Sequence, residues 1–95
     1  MYRNIDIQLS KLVKKQLLKV PMHIRDALFA WVEDVEEDGL LEVRKISGYH
    51  DEPLKFDRKG QRSIRLSRSY RAIYEVMYVG DKEIIVIREV SKHDY

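Results

Sequence analysis

The apolar residues of this chain change period at Gly39, and no other feature of the sequence limits its fold as much. Before that point Ile24, Ala27, Leu28, Trp31 and Val35 recur at three- and four-residue spacing with acidic residues between them, the stripe of an amphipathic helix. Gly39 is its stop signal. Well beyond that point the spacing falls to two. Ile64 and Leu66 flank Arg65, and Ala72, Tyr74, Val76 and Tyr78 share one strand face while Arg71, Ile73, Glu75 and Met77 share the other. A helical half followed by a strand half predicts an α+β domain with helices on one face of a sheet.

The flanking segments extend this pattern. Tyr2 to Leu9, with Ile5, Ile7 and Leu9 alternating, predicts a first strand. Ser10 is placed to cap a helix carrying Leu12, Val13, Leu17 and Val20, and Pro21 separates it from the helix above, so the two read as a helical hairpin. Leu41, Val43 and Ile46 predict a short strand, and SGYHDEP a loop. Strands are expected over Ser63 to Ser67 and Ala72 to Val79. Gly80 and Asp81 then turn the chain into Ile84 to Val90, a β-branched run of the kind found in a central strand buried on both faces. The expected architecture is an N-terminal strand, a two-helix hairpin and a mostly antiparallel sheet of three or four strands. Residues 1–95 suffice for one such core and form a single domain.

Charge is distributed unevenly. From Asp26 to Glu42 there are seven acidic residues (Asp26, Glu33, Asp34, Glu36, Glu37, Asp38, Glu42) and no lysine or arginine, which gives −7. From Lys55 to Arg71 there are seven basic residues (Lys55, Arg58, Lys59, Arg62, Arg65, Arg68, Arg71) against Asp57, which gives +6. Such polarity suggests one anion-seeking face, with nucleic acid as the commonest large polyanion, although a solvated pair of charged strands would carry the same charges. The chain has no cysteine, which excludes disulfides and thiolate metal sites. Three histidines without an HxxxH pair argue against zinc. No apolar run approaches the roughly 20 residues that span a bilayer. The expectation is a soluble cytoplasmic protein that needs no cofactor.

Arg65 to Glu75 reads R-L-S-R-S-Y-R-A-I-Y-E. It resembles the basic-Leu, loop, Tyr-Arg-apolar-apolar-Tyr signature of the RelE/HigB/ParE superfamily of type II toxin–antitoxin toxins, and the upstream helices before E-P-L-K match as well. The resemblance implies the RelE/ParE-like fold and a cognate antitoxin. RelE- and HigB-like members are ribosome-dependent endoribonucleases, or mRNA interferases, acting in the decoding site of the small ribosomal subunit. ParE-like members share the fold and inhibit DNA gyrase without cutting RNA. The tail here, His93-Asp94-Tyr95, holds the same residue types as the Asp-Tyr-His ending of some HigB-like toxins in a different order, and it favours the nuclease arm.

The chemistry calls for a base, an acid and a clamp for the developing phosphorane. By carry-over from the family, Arg65 and Arg71 would clamp the phosphate, His93 would move a proton and Tyr95 would orient or stack on a base. His50 and Asp94 are further candidates. Lys55, Lys59, Arg62, Arg68 and Lys92 would track the backbone of messenger or ribosomal RNA.

Overall fold

The structure is a computed structural model that describes residues 4–92, so the expected roles of His93, Asp94 and Tyr95 lie outside the described residues. The chain opens with β1 (Ile5–Leu9), α1 (Lys11–Leu17), α2 (Met22–Asp38) and a single turn of helix, α3 (Leu40–Val43). It continues with β2 (Glu52–Pro53), β3 (Gln61–Arg65), β4 (Tyr70–Val79) and β5 (Lys82–Lys92). The five strands form one sheet in the order β1-β5-β4-β3-β2. β1 runs parallel to β5, and every other pair is antiparallel.

Local chemistry accounts for the helix ends. Ser10 Oγ accepts from the Val13 amide at 3.1 Å, the expected cap, and also donates to the Arg88 carbonyl at 3.0 Å, which ties α1 to β5. Beyond Ile87, where pairing with β1 ends, β5 has no neighbouring strand on that side among the described residues, and the Val90 amide is met by Gln16 Oε1 at 2.7 Å. Pro21 stands at the N-cap of α2, and Gly39, with φ 87°, ends that helix as its amide closes on the Val35 carbonyl at 2.8 Å. Ile24, Leu28, Trp31 and Val35 are fully buried, on the stripe that the spacing predicts. Trp31 packs on Tyr74 with ring centroids 5.0 Å apart.

Two expectations need correction. Leu41, Val43 and Ile46 do not form a strand. Leu40 and Val43, three residues apart, point inward as one helical turn, while Leu41 is 72% exposed. A short polar-apolar segment after a helix fits both periods, and burial against α2 selects the helical one. The SGYHDEP segment is likewise more than a loop, since Glu52 and Pro53 pair with Ser63 and Arg62 as a two-residue edge strand.

The sheet has two unlike faces. Ile64, Ala72, Tyr74, Ile85, Ile87 and Val90 meet the helices in the main core. The opposite face presents Ser63, Arg65, Arg71, Ile73, Glu75 and Ser91. Between Ile73 and Tyr74 the β4–β5 register slips, leaving Arg88 as the extra residue of a bulge. No helix among the described residues is long and apolar enough to cross a membrane.

Candidate active site

The helix-free face of the β3–β4 hairpin gathers the charged groups. Arg65 and Arg71 are direct cross-strand partners. Each lies off the core face of its own strand, so both project from the open side. Arg71 Nε donates to Ser63 Oγ at 2.5 Å, and its Nη2 reaches Glu52 Oε1 at 3.3 Å and the His50 carbonyl at 3.5 Å. His50 Nε2 stands 3.5 Å from Glu52 Oε2. Glu52 therefore bridges the imidazole and the guanidinium. A cleft of about 430 Å³ is lined by these residues, with Arg58 at one wall. Arg71 is mostly sequestered, its side chain 14% exposed, whereas Arg65 is exposed and has no ion-pair partner among the described residues.

The segment that carries His50 and Glu52 is anchored on both sides. His50 has φ 47°, left-handed backbone that a residue with a Cβ adopts only when its surroundings enforce it. Ahead of it, the Tyr49 hydroxyl donates to Asp34 Oδ2 of α2 at 2.5 Å. Behind it, Asp51, whose side chain is 1% exposed, accepts from Arg62 Nε at 2.6 Å and from the Tyr74 hydroxyl at 2.6 Å. Arg44 Nε donates in turn to the Tyr74 oxygen at 3.3 Å. Burial pushes the Tyr74 hydroxyl well above its ordinary pKa, and its bond to Asp51 adds to this against the opposing Arg44 charge. Burial and the Asp34 carboxylate raise Tyr49 in the same way. Burial would lower the Arg62 pKa, but the bond to Asp51 and its charge outweigh it, and the net direction is upward.

The structure brings together Arg65, Arg71 and His50, and it separates Arg62 from them. Arg62 sits beside Ile64 on the helix side of β3, bound to Asp51, and so is not part of the basic surface. Lys55, Lys59, Arg68 and Lys92 are exposed. None of the four lines the cleft itself, but Lys55, Lys59 and Lys92 each adjoin in sequence a residue that does, Leu54, Arg58 and Ser91 respectively, whereas Arg68 lies in the β3–β4 turn. Glu52 and Ser63 have no place in the sequence-based site. The acidic D-E beside His50 in a turn-rich stretch was a local signal, but that Glu52 meets Arg71 depends on β2 pairing with β3. Among the described residues no group of three or more His, Asp or Glu side chains is placed to hold a metal ion.

No protein-family model matches the sequence, and no curated protein does. Solved structures do. A YoeB/ParE toxin from Agrobacterium tumefaciens superposes with a TM-score of 0.72 at 14% identity, over 94% of this chain and 99% of that one. A chain of the E. coli DinJ–YafQ toxin–antitoxin complex gives 0.67 at 21% identity, over 96% and 94%. The YoeB dimer from Staphylococcus aureus gives 0.66 at 21%, over 98% and 100%. This chain has the RelE/ParE toxin fold. Within that fold the open face of the sheet carries the arginine cleft, and the helix face carries the Asp51 network that steadies it.

Proposed function

We propose that this protein is the toxin of a type II toxin–antitoxin pair and an endoribonuclease that cuts translated messenger RNA in the decoding site of the small ribosomal subunit. The observation that carries this reading is the convergence of Arg65, Arg71, His50 and Glu52 on one open cleft. Arg65 and Arg71 would hold the scissile phosphate. The Glu52 carboxylate would take the proton of the 2′-hydroxyl as its oxygen attacks phosphorus, and a protonated histidine would give one to the departing 5′-oxygen. The products are a 2′,3′-cyclic phosphate and a 5′-hydroxyl. His50 is the described histidine in reach of the cleft. His93, a second candidate for the acid by resemblance to the family, lies outside the described residues. In the site as it stands Glu52 shares Arg71 with His50, so an arriving phosphate would compete for the guanidinium and free the carboxylate to act as a base.

The test is to induce the protein in cells and map RNA ends. Cuts within translated codons, lost in Arg71→Ala, are expected. Intact messages accompanied by DNA-damage signalling would overturn the reading in favour of ParE-like inhibition of gyrase. Replacement of Arg71 is expected to leave binding of the cognate antitoxin largely intact.

A further inference from the structure

Phe56 is 90% exposed, and its φ of 59° lies in the left-handed region. A lone exposed phenylalanine is ordinary on a protein surface. One held in a conformation that glycine would adopt without strain is not. The loop around it is tied down. The Leu54 amide donates to the Gln61 carbonyl at 2.9 Å, and the Arg58 and Lys59 amides close on the Lys55 and Phe56 carbonyls at 3.1 Å each. Arg58 Nη2 also reaches across to Glu89 Oε1 at 2.6 Å. The ring is thus displayed on a fixed turn. Lys55, Arg58 and Lys59 surround it in sequence, against Asp57. Leu54 and Arg58, two residues before and after it, line the cleft of Arg65 and Arg71.

We propose that Phe56 is a stacking platform for an unpaired nucleobase of single-stranded RNA, at the rim of the cleft and beside the phosphate that Arg65 and Arg71 hold. This rests on the RNA-cleaving reading for which nucleotide is bound. Every base has a π-face, so the platform favours no particular sequence, and the flanking cations meet the phosphates on either side. Because the turn that carries the ring is already fixed, its backbone loses little freedom on binding.

The full chain is compared with Phe56→Ala, Phe56→Gly and Phe56→Trp for binding to a fluorescein-labelled single-stranded RNA of about 12 nucleotides, followed by anisotropy over a range of salt. Phe56→Ala and Phe56→Gly should bind roughly tenfold more weakly. Phe56→Trp should bind at least as tightly as the parent, with its indole fluorescence quenched by RNA. The salt dependence should stay unchanged, because the phosphate contacts remain. Phe56→Gly separates binding from folding, since it relieves the backbone and should raise the urea midpoint while lowering RNA affinity. Wild-type protein that fails to bind the oligonucleotide, or Phe56→Ala and Phe56→Gly proteins that bind it undiminished, would overturn the proposal. If the wild type makes no cuts in cells while Phe56→Ala still weakens RNA binding, the cleavage reading fails and the platform stands.

Discussion

Arg62 and Arg65 stand three residues apart on β3 and meet opposite environments. Arg62 lies on the helix side, bound to a carboxylate that is almost fully buried and that also holds the Tyr74 hydroxyl. Arg65 lies on the open side, exposed and without an ion-pair partner among the described residues. The difference is the pleat. An odd number of residues along a strand moves a side chain to the other face, and one face here is covered by helices. Arginine on the covered face must be paired to be tolerated, so it becomes structural. Arginine on the open face meets water, as Arg65 does, and needs no such partner. The same rule divides the acids. Asp51 is committed to the fold, while its neighbour Glu52 turns toward Arg71 and stays half exposed.

The largest effect that would break this contrast concerns catalysis. Arg71→Ala should lower RNA cleavage by at least about a hundredfold, the usual loss when a donor to a developing oxyanion is removed. Arg71→Lys should restore little, because a point charge does not reproduce the guanidinium fork. Arg62→Ala, assayed per folded molecule, should cost less than about tenfold, acting only through the anchoring of the His50 segment. Equal losses for folded Arg62→Ala and Arg71→Ala would erase the distinction between the two faces.

Stability should show the reverse order. Asp51→Ala strips a charge-assisted partner from Arg62 and leaves the Tyr74 hydroxyl without its acceptor, so a loss of about 2–4 kcal/mol is expected in urea unfolding followed by Trp31 fluorescence. The lower end is favoured because the Arg62 side chain retains 26% exposure and water can replace part of the lost contact.

The alkaline limb sharpens the contrast further. Tyr49 and Tyr74 have pKa values raised in the fold, so their stabilising contribution is complete below the unfolded value of about 10 and is lost as pH rises above it. Urea midpoints measured from pH 9 to pH 11.5 should therefore fall. Tyr74→Phe should flatten that decline, and Arg65→Ala should leave it unchanged. A slope insensitive to Tyr74 would mean that its proton is not held by burial and Asp51. The smallest effect is that of Arg65→Ala on stability, within about 0.5 kcal/mol of the parent by the same unfolding assay.

Much of the fold was legible where one element's own residues decide it. The Ile24-to-Val35 stripe, the Ser10 cap, the Gly39 stop and the Gly80–Asp81 turn are local statements, and each appears in the structure. The alternation in β3 and β4 correctly assigned Arg65 and Arg71 to the side away from Ile64 and Tyr74. It failed at Leu40–Val43, where four residues are too few to distinguish a period of two from one of 3.6. Arg62 was misgrouped because its charge was counted with the run from Lys55 to Arg71, although its parity already placed it with Ile64. Glu52 lay outside the site that local spacing defines because its approach to Arg71, at 3.3 Å, depends on β2 pairing with β3.

The sequence by itself determined the order of the main helices and strands, α3 and β2 apart, which side of its own strand each arginine leaves, and the resemblance through R-L-S-R-S-Y-R-A-I-Y-E to toxins of this fold. These follow from spacing between near neighbours, which backbone geometry converts directly into direction. Tertiary structure alone decided that β1 pairs in parallel with β5, that Asp51 is buried between Arg62 and Tyr74, and that a two-residue edge strand delivers Glu52 to Arg71. Those contacts join residues far apart in the chain. Their partners are chosen by which faces pack together, and no local period encodes that choice.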